Sequence, residues 1–272
     1  MRKVQYILIA LIILLMNFNL SAQEDTSKST ITSTLKSDIT KFWCDAGDIT
    51  VSPLSFTANN WLTVGAVVGG VALIFTLDEP IHRQVLRHQS EAASDIVEIG
   101  RLYGRGRYVL GFSSGLYLTG LLFNNNNIKN TGFMMVESIL FAGGITFALK
   151  GFLARSRPYL NEGALEFNVW EFSDYDRMSL PSGHATFAFA ISTVLSTQIK
   201  NPLATLGFYT LATLTTASRL YYDQHWASDT FLGAAIGTTI GLMVVDLHEK
   251  KDQQIIFNVY PIPNGLRAEL SF

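Results

Sequence analysis

Charge is what this sequence has least of. Only 15% of its 272 residues are Asp, Glu, Lys or Arg, against about a quarter in an ordinary soluble domain. Disorder is excluded, because 48% of the chain is hydrophobic and a disordered chain has too little apolar surface to bury. A nucleic-acid binder is disfavoured, because the formal net charge is −2 and no basic excess exists to neutralise a phosphate backbone. A single cysteine, Cys44, excludes an intramolecular disulfide framework and a Cys-rich zinc site.

The missing charge is missing in blocks. No Asp, Glu, Lys or Arg lies between Asp48 and Asp78, between Arg107 and Lys129, between Lys200 and Arg219, or between Asp229 and Asp246. Residues 178–199 carry none, and 130–149 carry only Glu137. The helical part of the first window is expected to begin near Asn60. Each window holds roughly 16–22 helix-capable residues, and about 17 residues of helix span roughly 25 Å, near the thickness of a bilayer core. The pattern predicts six transmembrane helices; six buried helices of a soluble all-α core are the alternative, since small residues suit close packing in both settings.

The ends read differently. Arg2 and Lys3, the apolar run Tyr6 to Met16 and the small residues Ser21-Ala22 form a signal-peptide pattern over 1–22; an uncleaved anchor helix is the alternative. Residues 23–58 read as a polar linker or arm with at most a short helix. The helical domain is expected over 59–250, with one or two amphipathic surface helices between Asp78 and Arg107. Alternating apolar and polar residues around Pro261, Pro263, Asn264 and Gly265 predict a small β-hairpin tail over 251–272.

Three polar clusters interrupt the apolar windows, all at expected helix ends: Lys150 with Arg157-Pro158, then Pro181-Ser182-Gly183-His184, then Ser218-Arg219 with His225 and Asp229. If consecutive helices alternate in direction, the clusters share one face. Lys150, Arg157 and Arg219 are cations, two of them guanidinium forks that fit phosphate oxygens. Ser182 and Gly183 open a helix, whose first N–H groups and positive dipole end favour an anion. His225 and Asp229 are four apart, so on a helix the carboxylate can fix the ring's tautomer and leave the other nitrogen as a nucleophile. His184 is placed to act as a general acid. Arg155 reads as a solvated loop arginine, with an added donor at the site as the alternative, Trp226 as packing, and Glu137 as a satisfied helix–helix hydrogen bond rather than a catalytic acid. Tyr159, Trp170 and Tyr175 are candidates for the mouth of the site.

Taken in order, Lys150-(six residues)-Arg157-Pro158, Pro181-Ser182-Gly183-His184 and Ser218-Arg219-(five residues)-His225-(three residues)-Asp229 resemble the three-part signature of the type 2 phosphatidic acid phosphatase (PAP2) superfamily, which vanadium haloperoxidases and bacterial class A acid phosphatases share. The resemblance covers roughly residues 60–247. It implies an all-α fold, a six-helix PAP2-type bundle, and a phosphatase with neither metal nor other cofactor. It also implies the roles. His225 attacks phosphorus and forms a phosphohistidine, Asp229 orients it, and His184 protonates the leaving oxygen. Lys150, Arg157, Ser182, Gly183 and Arg219 hold the phosphate.

The implied partner is a phosphorylated lipid such as phosphatidate, phosphatidylglycerophosphate, undecaprenyl diphosphate or a lipid A phosphate, or else a small-molecule phosphate. The alternatives are a soluble periplasmic acid phosphatase, a vanadium haloperoxidase and a catalytically silent envelope protein. A cleaved signal peptide followed by three crossings puts Lys150 in the cytoplasm. Lys129, Lys200 and Lys250-Lys251 favour the opposite orientation through the positive-inside tendency. The expectation adopted is an exported, inner-membrane protein with its site facing the periplasm.

Overall fold

The structure is a computed structural model. It describes residues 31–252, with side chains to 250, and the backbone of 256–262 and 265–271. The expected signal peptide and the start of the arm lie outside the described residues. Nine α-helices stand among the described residues: α1 Ile31–Val51, α2 Ala58–Phe75, α3 Asp78–Arg87, α4 Glu91–Tyr103, α5 Gly106–Leu122, α6 Asn126–Leu153, α7 Gly183–Ile199, α8 Pro202–Tyr221 and α9 Ala227–Asp252.

The six apolar windows become α2 and α5 to α9. The helix count nevertheless exceeds six, for two reasons. The stretch between Asp78 and Arg107 forms α3 and α4, each amphipathic. The arm was expected to carry a short helix at best, yet it forms the 21-residue α1. Its polar residues are not a solvated coil: Asp38 and Asp45 are buried against the bundle, where Tyr117 donates to Asp38 Oδ2 at 2.8 Å.

The count of spans also falls. Among the described residues three helices are long and apolar enough to cross a membrane, at Ala58–Phe75, Asn126–Leu153 and Ala227–Lys250. The other three windows give helices of 17, 17 and 20 residues; the two shorter ones are at the lower limit for a span, and α8 is diluted by Thr210, Thr213, Thr215 and Thr216. Only 6% of the α2 window is buried. Its exposed Trp61, Leu62, Val68 and Leu73 make an apolar surface that water would penalise and lipid would not.

The core lies where α6, α7, α8 and α9 meet, around Met135, Ala142, Val194, Phe208 and Val244. Glycines set the closest approach. A Cβ on Gly233 would lie 2.5 Å from the Ser182 carbonyl oxygen, and one on Gly237 would lie 2.2 Å from that of Thr186. Only glycine allows α7 and α9 to pack backbone against backbone there, and this packing brings the second and third motifs together. After α9, the backbone of Ile256–Ile262 (β1) pairs antiparallel with Gly265–Ser271 (β2), Ile256 opposite Ser271.

Candidate active site

The three motifs meet at one end of the α6–α9 group. Lys150 sits in the last turn of α6, Arg157 in the loop beyond it, His184 in the first turn of α7, and Arg219 in the last turn of α8. The Ser182 N–H donates to the Asp229 carbonyl oxygen at 2.9 Å, which ties the start of α7 to the first turn of α9. The charges of Lys150, Arg157, Arg219 and His184 all act on the His225 ring. The eight residues expected at the site therefore share one neighbourhood.

His225 is buried and precedes α9 instead of lying on it. The expected i,i+4 helical pairing is replaced by a cap. Asp229, in the first turn, accepts the Trp226 N–H at Oδ2, 2.9 Å away, which is half of a capping box. His225 Nδ1 lies 3.6 Å from Asp229 Oδ2, beyond direct hydrogen-bond range. Ser179 stands between them. Its hydroxyl donates to Asp229 Oδ2 at 2.5 Å and lies 3.3 Å from His225 Nδ1. With Nδ1 turned toward Ser179 and Asp229, Nε2 is the nitrogen left for chemistry. Burial, followed by the charges of Lys150, Arg157 and Arg219, holds the His225 pKa well below the ordinary histidine value. The ring is thus neutral and its lone pair available at neutral pH.

The cations are aimed by the loop after α6. Lys150 Nζ donates to the carbonyls of Met178 and, at 3.1 Å, Ser179. Arg157 is buried, donating to the carbonyls of Tyr175 at 3.2 Å and Gln224 at 3.1 Å, with its guanidinium 4.3 Å from the centre of the Tyr175 ring. Two buried polar atoms beside them have no hydrogen-bond partner, Ser182 Oγ and Arg219 Nε. Ser182 is the N-cap of α7, yet its hydroxyl does not cap the helix. No atom lies within 4 Å of the point where a Cβ on Gly183 would stand. Uncommitted donors, surplus cations and an unobstructed helix N-terminus are the requirements for binding a phosphate group.

Arg155 requires a correction. Expected as a solvated loop residue, it is fully buried. Its Nη1 donates to Asp229 Oδ1 and Ser228 Oγ, both at 2.7 Å, and its Nη2 donates to Asp78 Oδ2 at 2.8 Å. Phe75 stacks over the guanidinium at 4.3 Å. Asp78 in turn accepts the Ser228 N–H at 2.9 Å. Asp229 therefore takes hydrogen bonds from Arg155, Ser179 and the Trp226 N–H, so its carboxylate has one fixed orientation. Sequence reasoning missed Arg155, Asp78 and Ser179 in this role. Their partners lie far away in the chain, and the only available signal was that Asp78 is the charge bounding an apolar window.

Among the residues expected to pack or to line the mouth, Trp226 is buried and donates its Nε1–H to the Ser156 carbonyl at 3.0 Å. Tyr175 stands beside Arg157. Tyr159 donates to Asp176 Oδ1 at 2.6 Å on the exposed loop. Trp170 does not point to the cations; it packs on Phe152 and Phe172. Glu137 joins helices as expected, with Oε2 2.6 Å from His248 Nε2 on α9.

The PAP2 superfamily model matches residues 131–253, which include all three motifs. A stretch of 65 residues, 23% of the chain, is 40% identical to lipid A 1-phosphatase of Porphyromonas gingivalis, and covers 15% of that protein's length. The crystal structure of LpxE from Aquifex aeolicus is similar with a TM-score of 0.50 at 25% identity, over 62% of this chain and 95% of that one. The crystal structure of a transmembrane PAP2 type phosphatidylglycerolphosphate phosphatase from Bacillus subtilis is similar in fold, with a TM-score of 0.54 at 16% identity over 69% of this chain and 96% of that one.

Proposed function

We propose that this chain, whose residues 131–253 match the PAP2 superfamily model, is a member of that superfamily and an envelope-membrane phosphatase that removes phosphate from a lipid through a phosphohistidine. The observation that carries the proposal is a neutral, buried His225 whose Nδ1 side is held by Ser179 and Asp229 while Lys150, Arg157 and Arg219 converge on the same spot.

In the first step the His225 Nε2 lone pair attacks phosphorus, and the bond from phosphorus to the lipid oxygen breaks. Burial and the charges of Arg219 and Arg101 hold the His184 pKa down to about 3. A bound phosphate offsets those cations with its negative charge, so His184 acquires its proton with the substrate and gives it to the leaving alkoxide. The nitrogen gains positive character as the N–P bond forms, and the Asp229 carboxylate, acting through Ser179, stabilises the ring. In the second step water attacks the phosphohistidine, His184 takes the water's proton, and inorganic phosphate leaves. Lys150, Arg157, Arg219, the Ser182 hydroxyl and the Gly183 N–H hold the equatorial oxygens, whose charge spreads in the transition state. Positioning and electrostatics supply most of the catalysis in phosphoryl transfer.

Lipid substrates are favoured over soluble ones by α2, α6 and α9, which are long and apolar enough to span a bilayer. Lipid A 1-phosphates and phosphatidylglycerophosphate are the leading substrates, given the named relatives. A periplasm-facing site completes the reading.

The test is phosphate release by the purified full chain from lipid A, phosphatidylglycerophosphate and phosphatidate in mixed micelles. Turnover of at least one is expected, and His225→Ala should lower it by at least about 10⁴-fold while leaving the fold intact. Wild-type turnover of none of them, or full activity in His225→Ala, overturns the proposal. Activity in intact cells equal to that in lysate supports the orientation; activity seen only after lysis contradicts it.

A further inference from the structure

A second feature of the α6 end is not used by the chemistry. Four large aromatic side chains form a continuous exposed row: Phe147, Phe172, Trp170 and Phe152. Their ring centres are separated by 6.4, 6.1 and 5.2 Å in that order, and they are 61%, 48%, 69% and 47% exposed. Phe147 and Phe152 belong to the last two turns of α6. Phe172 and Trp170 come from the loop between the first and second motifs.

This row is built, not incidental. The loop runs back along the end of α6 in antiparallel pairing: the Ser156 N–H donates to the Glu166 carbonyl at 3.0 Å, Asn168 to Ala154 at 3.0 Å, and Trp170 to Phe152 at 3.1 Å. The Phe172 ring lies where a side chain on residue 151 would stand; a Cβ on Gly151 would be 2.1 Å from its Cδ1. Trp170 has φ +75°, a backbone conformation that a bulky residue adopts only against its preference. The fold thus accepts local strain in order to hold an indole outward, where burial returns nothing if the surroundings are water.

The setting says what covers it. α6 is one of the three helices long enough to span a membrane, and the row stands at the terminal turns of that span, beside Lys150. Large aromatic side chains at the ends of membrane spans settle at the boundary between headgroups and acyl chains, and tryptophan is among the most favoured there. Elsewhere the loop exposes the polar Asn161, Glu162 and Asp176 together with the apolar Leu165 and Val169.

Building on the lipid-phosphatase reading, we propose that Phe147, Phe152, Trp170 and Phe172 form an aromatic collar seated in the headgroup–acyl boundary of a lipid bilayer. The collar fixes the depth of the phosphate site, so that a lipid's phosphate reaches Lys150 and His225 while its chains stay in the membrane. Substrate class is then selected partly by the collar and not by phosphate recognition alone.

The test uses the full chain in phosphatidylethanolamine–phosphatidylglycerol vesicles. The double variant Trp170→Ala/Phe172→Ala is compared with wild type on long-chain phosphatidate in the vesicle and on the water-soluble p-nitrophenyl phosphate. The ratio of lipid to soluble turnover should fall at least tenfold, mostly through KM for the lipid, while Trp170→Phe keeps most of it. An equal loss on both substrates, or no loss on either, overturns the collar. Fluorescence separates this from failure of the underlying reading. The Trp170 contribution, taken as wild type minus Trp170→Phe, should be quenched more by lipids brominated near the headgroup than by those brominated near the chain ends. A contribution that no brominated lipid quenches refutes the collar even if lipid phosphates are substrates. Selective shallow quenching without lipid turnover leaves the collar standing and removes the lipid-phosphatase reading.

Discussion

The molecule contains two ionic clusters between its helices, and they are built on opposite principles. One is the phosphate-side cluster, where the cations Lys150, Arg155, Arg157 and Arg219 gather about two carboxylates of the described residues, Asp78 and Asp229. The other lies along the seam of α1, α6 and α9. There Asp38 meets Lys129, Asp45 and Glu137 meet His248, and Lys41 Nζ stands 3.1 Å from His248 Nδ1. Glu137 comes thirteen residues before Lys150 on α6, about 20 Å away at 1.5 Å per residue. In the second cluster each carboxylate meets a donor of the protein itself, Asp38 meeting Lys129 and both Asp45 and Glu137 meeting His248, and the product is a tie between three helices. In the first, two positive charges remain over, together with the unpartnered donors Ser182 Oγ and Arg219 Nε. Buried charge is tolerated when paired. A surplus of one sign therefore indicates a ligand of the other sign, and balance indicates architecture.

The largest effect on stability should come from breaking the balanced part of the site. Arg155 neutralises Asp78 and Asp229 at once, with no exposure of its own. Arg155→Met leaves two carboxylates facing each other in a buried place. A loss of about 3–5 kcal/mol in stability is expected, read as a fall in the thermal midpoint in detergent. Turnover of the surviving folded protein should drop by roughly 100-fold, because Asp229 loses the group that fixes its orientation. A variant as stable and as active as wild type would show that the Arg155 pairings contribute nothing.

The opposite cluster should respond in stability alone. Glu137→Gln weakens the contact with His248 Nε2, 2.6 Å away, and removes a charge from a balanced set. The expected cost is about 1–3 kcal/mol, with kcat/KM on the lipid substrate unchanged at temperatures where the variant is folded. A selective loss of kcat at full stability would mean that this cluster communicates with the site, and the contrast between the two would fail.

How much of this was legible in the sequence follows the same division. The surplus cations were legible because each stands where an apolar helix ends, and charge at the end of a long uncharged run is visible without a structure. Lys150, Arg157, His184, Arg219 and His225 were found in that way. The balanced pairings were not, since Arg155 meets Asp78 across 77 residues and Ser179 meets Asp229 across 50. A pairing partner at that distance leaves no local pattern, so a buried arginine looked like a solvated one. The helical α1 was missed for the same reason. Its Asp38 and Asp45 read as loop residues until α5, α6 and α9 supply Tyr117, Lys129 and His248. Six spans were expected because freedom from charge was taken as the measure of a membrane helix, and the two 17-residue helices stand at the lower limit of length. Length and apolarity together single out three helices among the described residues, and α7 and α8 bury much of their surface against protein.

The smallest expected effect concerns protons and isolates His225 within the surplus cluster. Burial and three nearby cations lower its pKa in the folded chain, whereas the unfolded chain has an ordinary histidine near 6.5. Below that pH the unfolded state binds a proton that the folded state refuses. The stabilising difference is thus complete above about pH 6.5 and declines as pH falls, by up to about 1.4 kcal/mol per pH unit from this one group. Thermal midpoints of wild type and His225→Gln, measured without phosphate between pH 7 and pH 5, should diverge in that sense, with wild type losing more on acidification. Added orthophosphate should shrink the divergence, because a bound anion offsets the cations that repel the proton. Parallel curves for the two proteins would mean that His225 takes up protons as readily in the folded chain as in the unfolded one, and that the surplus of positive charge does not reach the nucleophile.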